Sequence, residues 1–261
     1  MNLDYYKPIR LTGNSNIGVL VIHGFTGTPK SVEPWALGFN SSGFDVVAPL
    51  LAGHGSDWRE MKKSNWGDWL HSASSAMDEL AGRVEHLFIA GFSMGGAIAL
   101  RLAELHPETI KGVLLLNPTI YDNHIRMSFA KYLAPFIPSL KSEGTDVAKP
   151  DAIITSQQRI SVHAANSLHQ FRHIVRKDLK LINQPIKIFL SKQDHVVPPS
   201  NGLLIANSVS SERVEVTYFN NSYHVVALDH DADQLNSESN EFISSIVFSS
   251  SSNVQKALNQ D

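Results

Sequence analysis

The chain has 261 residues, 43% of them hydrophobic and 18% charged, a globular balance whose length suits one α/β domain carrying an insertion. A net charge of −3 supplies no positive field to gather phosphates, which argues against a nucleic-acid partner. The lack of cysteine removes disulfides, thiolate metal sites and cysteine nucleophiles together.

The first ten residues, MNLDYYKPIR, hold Asp4, Lys7 and Arg10 with no apolar run behind a basic start, so they do not read as a signal peptide and a cytoplasmic location is expected. Apolar runs such as Gly18–Ile22 and Val113–Leu116 fall far short of the ~20 residues that span a bilayer, so no integral membrane association is expected. Short β-branched or Leu-rich runs at Ile17–Ile22, Phe44–Ala48, Leu87–Ala90, Val113–Leu116, Ile186–Leu190 and Val214–Phe219 predict strands buried on both faces. Between them, Ser31–Ser42, Trp66–Ala81, Met94–Leu105 and Pro199–Val209 have helical length. The alternation predicts a mostly parallel central sheet flanked by helices.

It breaks between Tyr121 and Leu181, where Pro135, Pro138, Gly144 and Pro150 punctuate helical pieces without a convincing strand. An unstructured loop of that length is rare in a compact domain, so 121–181 is read as an inserted cap, the alternative being a long irregular connection. Residues 1–120 and 182–248 then form the core, with a last helix near Asp233–Val247. The polar, Ser-rich end 249–261 lacks periodicity and is expected to be disordered.

Gly91-Phe92-Ser93-Met94-Gly95 fits G-x-S-x-G and lies between a predicted strand and a predicted helix. A strand that turns sharply into a helix carries the serine at its tip, and side chains at Gly91 or Gly95 would collide with neighbouring backbone. Ser93 is therefore the candidate nucleophile, placed where unpaired N–H groups favour developing negative charge. Ester hydrolysis needs two N–H donors for the oxyanion. One is expected from Met94, the residue after the nucleophile, and the other from Phe25 in the turn His23-Gly24-Phe25-Thr26-Gly27, which follows a strand and precedes a helix. His23 and His54 are read as loop-shaping residues.

Asp194 follows the strand Ile186–Leu190 and His224 follows the strand Val214–Phe219, so both sit on loops at the same carboxyl edge of the sheet as Ser93. Asp194 is the candidate orienting acid and His224 the candidate general base, and the order Ser, acid, His is that of α/β-hydrolases. Asp122 is the rival acid, and His195 and His230 are rival bases. The run Asp229-His230-Asp231-Ala232-Asp233 reads as the solvated start of the last helix, where acids favour the N-terminus, and no metal site is assigned.

These residues, with Pro49, Gly53-His54-Gly55, Trp66, Asp68-Trp69, Val196-Val197-Pro198-Pro199, Asn201-Gly202 and Leu228-Asp229, resemble those of the bacterial monoacylglycerol lipases and related small carboxylesterases of the α/β-hydrolase superfamily, over about Gly18 to Ile243. The resemblance implies an α/β-hydrolase fold with a small cap inserted after the sixth strand, a triad of Ser93, Asp194 and His224, and oxyanion amides from Phe25 and Met94, which would also touch the substrate. It implies no cofactor, and small esters with a short or medium acyl chain in an apolar tunnel. Phe129, Leu133, Phe136 and Ile137 either line that tunnel or pack the insertion. A monomer or homodimer is expected. The competing activities are a thioesterase, an amidase or a carbon–carbon bond hydrolase using the same triad, and a non-catalytic ligand-binding relative.

Overall fold

The computed structural model describes residues 6–121, 137–142, 146–152, 157 and 159–258, with backbone alone for 250–258. Seven strands form one sheet: β1 (Ile9–Leu11), β2 (Ile17–Ile22), β3 (Asp45–Ala48), β4 (His86–Phe92), β5 (Ile110–Leu116), β8 (Ile186–Ser191) and β9 (Val214–Phe219), in the order β1-β3-β2-β4-β5-β8-β9. Only β1 is antiparallel, pairing Ile9 with Ala48, and every other pair is parallel. Strand and residue parity decides the faces. Leu20, Ile22, Leu87, Ile89, Val113 and Leu115 point into one buried cluster, and Val19, Val21, Phe88, Ala90, Leu114 and Leu116 into the other, as the period of two in a doubly covered sheet requires.

The first cluster is covered by α3 (Trp66–Ala81), α4 (Met94–Leu105) and α5 (Val162–Asp178), the second by α1 (Glu33–Ser41) and α7 (Ala232–Leu258). Two shorter helices, α2 (Trp58–Met61) and α6 (Ser200–Ala206), lie at loop ends. Helix α3 starts where a capping box satisfies its first N–H groups: Asn65 Oδ1 accepts from the Gly67 N–H at 2.8 Å and Asp68 Oδ2 from the Asn65 N–H at 2.9 Å. From there Trp69, Ala73, Met77 and Leu80 recur on one buried face. On the opposite face Trp35 and Phe39 of α1 meet Leu235, Phe242 and Ile243 of α7, and the Trp35 indole N–H donates to Ser239 Oγ at 3.0 Å. Among the described residues, no helix is long and apolar enough to cross a membrane.

The interval 121–181 opens after β5, which in chain order is the fifth described strand rather than the sixth. It contains a two-stranded antiparallel ribbon, β6 (Ser139–Lys141) with β7 (Arg159–Ser161), where the sequence shows no convincing strand. Three-residue strands are too short to display an alternation. Its last part does not stand apart from the core: Ala164, Leu168, Phe171 and Val175 of α5 are buried against the α3–α4 layer, with Phe171 stacked on Trp66 at 5.4 Å. Helix α7 runs into the polar end, its backbone helical as far as Leu258, beyond the Val247 limit expected and into the segment read as disordered. That end holds no Gly or Pro to stop a helix.

Candidate active site

Strand β4 ends at Phe92 and α4 begins at Met94, so Ser93 alone makes the turn, with φ 54° and ψ −114°. A positive φ is rare for a residue with a Cβ, and such strain collects at functional positions. The surroundings hold it there. The Ser93 N–H donates to the Leu116 carbonyl of β5 at 2.9 Å, and its carbonyl accepts from Gly96 at 3.0 Å and Thr119 at 3.2 Å. A Cβ on Gly91 would lie 2.3 Å from the Gly95 carbonyl oxygen, and one on Gly95 2.1 Å from that of Ile22. Backbone atoms fill those spaces, so neither side chain could be accommodated.

His224 stands on the loop after β9, and its Nε2 is 3.1 Å from Ser93 Oγ. Its Nδ1 is 2.7 Å from Asp194 Oδ2. The Asp194 side chain is fully buried, and its other oxygen accepts from the N–H groups of Val196 at 2.8 Å and Val197 at 2.7 Å. This turn points one oxygen back at its own loop and leaves the other for the imidazole. With Nδ1–H given to the carboxylate, the Nε2 lone pair faces the serine hydroxyl, the tautomer that proton abstraction requires. The Phe92 ring lies against the imidazole at 4.8 Å.

The turn after β2 lies beside the serine, since a Cβ on Gly24 would be 3.2 Å from Ser93 Cβ. Met94 opens α4, where an N–H has no acceptor within the helix. Phe25 is half-buried with its ring 5.7 Å from that of Trp69. His23 beneath them is fully buried and spends both ring nitrogens on the loop, Nδ1 with the Gly24 carbonyl at 2.9 Å and Nε2 accepting from the Leu51 N–H at 3.2 Å. Burial, with the neighbouring His54, pushes its pKa down to about 3, and burial pushes His54 down to about 4. Both are neutral at neutral pH, and their hydrogen bonds go to loop backbone, that of His54 Nδ1 to the Ala52 carbonyl at 3.1 Å, whereas His224 Nε2 meets Ser93 Oγ.

The rivals lie elsewhere. His195 is 62% exposed and bound to Asp146, and His230 is 48% exposed. Asp122 lies outside the described residues, as do Phe129, Leu133 and Phe136. Ile137 is described and stands 42% exposed just before β6.

Three residues of the site, Asn117, Gln157 and Asp146, gave no sign in the sequence, and a fourth, Asp229, gave little. Asn117, with φ 42°, donates from Nδ2 to the His224 carbonyl at 2.7 Å and accepts the Ser191 N–H on Oδ1 at 2.8 Å. Gln157 donates its backbone N–H to the Thr26 carbonyl at 3.1 Å and its amide Nε2 to the Ser56 carbonyl at 3.0 Å, which fastens the interval 121–181 to the turn holding Phe25. Asp146 and Asp229 fasten it to the His224 loop. The acidic run 229–233 is therefore only in part a solvated helix start: Asp233 is exposed in the first turn of α7, but the Asp229 side chain is fully buried, and Asp231 accepts from the N–H and side-chain amide of Asn221. Only Asp229, within the stretch that carries the family resemblance, left a trace in the sequence.

Known proteins similar to this chain include lipolytic enzymes and esterases. The family described as serine aminopeptidase, S33, matches residues 14–231. A thermostable monoacylglycerol lipase of Bacillus sp. (strain H-257) is 34% identical over 231 residues, covering 88% of this chain and 91% of that protein. A carboxylesterase of Bacillus subtilis (strain 168) is 24% identical over 241 residues, 91% of this chain and 96% of its own. A solved structure from work on the metagenome-derived lipolytic enzymes LipS and LipT superposes with a TM-score of 0.88 at 34% identity, covering 92% of this chain and 97% of that one. The monoacylglycerol lipase of Paleococcus ferrophilus shares the fold, with a TM-score of 0.78 at 20% identity over 92% and 98% of the two chains.

Proposed function

This chain belongs to the serine aminopeptidase, S33, family, and we propose that it is a serine hydrolase of carboxylic esters, of the carboxylesterase or monoacylglycerol lipase type. One observation carries the reading: the unbroken line from Ser93 Oγ through His224, at 3.1 Å, to Asp194, at 2.7 Å. The names of the Bacillus relatives, a monoacylglycerol lipase and a carboxylesterase, support the ester as the bond attacked.

In this reading His224 Nε2 takes the Ser93 proton as Oγ attacks the ester carbonyl carbon. The resulting oxyanion lies against the N–H groups of Met94 and Phe25, each such donor contributing on the order of 3 kcal/mol to the transition state. His224 then gives its proton to the departing alkoxide, which leaves as the alcohol. Water, deprotonated by the same imidazole, attacks the acyl carbon, and Ser93 recovers the proton as the acid departs. Asp194 keeps Nδ1–H bound and stabilises the imidazolium throughout. No cofactor or metal enters the cycle.

Residues 121–181 act as the cap, supported by the attachments at Asp146 and Gln157, with α5 packed on the core as its base. The substrates are short- to medium-chain esters of a small alcohol. The enzyme works in the cytoplasm as a monomer or homodimer, which fractionation and light scattering check. The family description itself raises a second reading, cleavage of an N-terminal peptide bond by the same residues.

The test is hydrolysis of p-nitrophenyl esters and monoacylglycerols of increasing acyl length, with aminoacyl p-nitroanilides alongside, by the wild type and Ser93→Ala. Ester turnover that rises and falls with chain length and vanishes in the variant is the expected result. Anilide cleavage without ester cleavage transfers the assignment to the peptidase reading.

A further inference from the structure

Asp146 lies between β6 and β7, far in sequence from the two loops it touches. Its carboxylate is 15% exposed. Oδ2 accepts from the backbone N–H of His195 at 3.0 Å and from that of His224 at 3.2 Å, and Oδ1 lies 2.8 Å from His195 Nδ1. Its carbonyl oxygen accepts from the Val225 N–H at 3.1 Å. One side chain therefore ties the residue after Asp194 to His224 itself.

The attachment is reciprocal. Asp229, from the His224 side, accepts from the N–H groups of Ala148 at 2.8 Å and Lys149 at 3.0 Å in the Asp146 segment, and from those of Tyr223 at 2.9 Å and His230 at 2.9 Å in its own loop. The His195 ring closes the arrangement edge-on to Tyr223 at 4.6 Å. Each carboxylate accepts N–H groups from the segment opposite, and hydrogen bonds to an ionised acceptor are about twice as strong as neutral ones.

We propose that Asp146 is a positioning residue for hydrolysis at Ser93, holding the loop of Asp194 and the loop of His224 at the separation their hydrogen bond needs. The proposal rests on the assignment of Ser93, His224 and Asp194 given above. The two loops leave neighbouring strands, β8 and β9, paired as far as Ser191 with Phe219, and Asn117 bridges their starts at Ser191 and the His224 carbonyl. Further out, beside Asp194 itself, two N–H groups, one from each loop, converge on a single Asp146 oxygen, and that convergence holds the outer parts of the loops together. The imidazole must span from Asp194 to Ser93, and a misplacement of about 1 Å in such a line costs up to about a hundredfold in rate.

The test uses the full chain, with steady-state hydrolysis of p-nitrophenyl butyrate, the rate of fluorophosphonate labelling at Ser93, and a melting curve for each protein. Asp146→Ala should lower kcat and the labelling rate about tenfold or more, with KM within about twofold. Asp146→Asn should restore most of both, because its amide oxygen accepts the two backbone N–H groups while its NH2 faces His195 Nδ1. His195→Ala should change little, since the backbone N–H of residue 195 remains. If Asp146→Ala does not fold, Asp146→Glu takes its place: the added methylene keeps the charge but displaces the oxygens, and the same loss of kcat at steady KM is required. Wild-type kcat and labelling in the Ala or Glu variant overturns the proposal, as does a loss confined to KM or a failure of Asn to restore. Labelling of Ser93 reads the positioning even where the wild type cleaves no ester, so failure of the esterase assignment is seen separately, in the wild-type turnover.

Discussion

The side-chain amide of Asn117, one residue past β5, donates to the His224 carbonyl at 2.7 Å while its oxygen accepts the Ser191 N–H at 2.8 Å. Asn117 is 2% exposed and sits at φ 42°, a conformation that asparagine tolerates better than most residues. Asn117→Ala leaves a buried N–H and a buried C=O unpaired, each at about 1–3 kcal/mol. The variant should lose about 2–4 kcal/mol in urea unfolding and lose activity through the displaced His224 loop. Wild-type stability would show that the two loops hold without it.

Gly95 is predicted to admit no side chain. The methyl of Gly95→Ala would meet the Ile22 carbonyl at 2.1 Å, and that oxygen belongs to a central strand that cannot retreat. Destabilisation of about 3 kcal/mol or more, with loss of turnover, is expected from chemical unfolding and ester assays. A fully active, equally stable Gly95→Ala protein would contradict the turn geometry.

Asp194→Asn tests the tautomer. Because Oδ1 is committed to the Val196 and Val197 N–H groups, the asparagine carbonyl would take those bonds and present its NH2 to His224 Nδ1. The imidazole would then accept there and carry its proton on Nε2, facing Ser93 with a donor. Turnover should fall by about 10,000-fold with the melting temperature nearly unchanged. Retention of activity would place the orienting acid elsewhere.

Stability should depend on pH through His23 and His54. Their folded pKa values, about 3 and about 4, lie below the usual 6.5, so between those limits the unfolded chain binds more protons. Stability therefore rises with pH and is lost as pH falls below 6.5, by about 1.4 kcal/mol per pH unit for each histidine. Glu104 opposes this: burial, against the pull of Arg101, raises it to about 7, so its folded form holds the extra proton between 4.5 and 7. His54→Gln removes one histidine and leaves Glu104 unchanged. Urea unfolding from pH 4 to 7 should show a shallower slope in the variant, and identical slopes would mean that His54 is not buried neutral.

Much of this was legible along the chain. Ile17–Ile22, Trp66–Ala81, Met94–Leu105 and Val214–Phe219 form the elements their patterns predict, with the same limits; the first and third are largely buried, the second buries one face, and in the last Val214 and Val216 pack half-buried on the same core. Ser93, Asp194 and His224 could be picked out because each follows a strand at one edge of the sheet. Asn117, Asp146 and Gln157 could not, since each acts by meeting backbone N–H or C=O groups that only the tertiary fold brings near. The same holds for the three-residue strands β1, β6 and β7, whose pairing comes from neighbours rather than from their own pattern.

The most direct test of the account is the mass of the protein quenched during turnover of a slowly deacylated p-nitrophenyl ester, followed by peptide mapping. One acyl group is expected, carried by the peptide containing Ser93 and absent from Ser93→Ala. An acyl group on another residue, or wild-type ester turnover by Ser93→Ala, would contradict it.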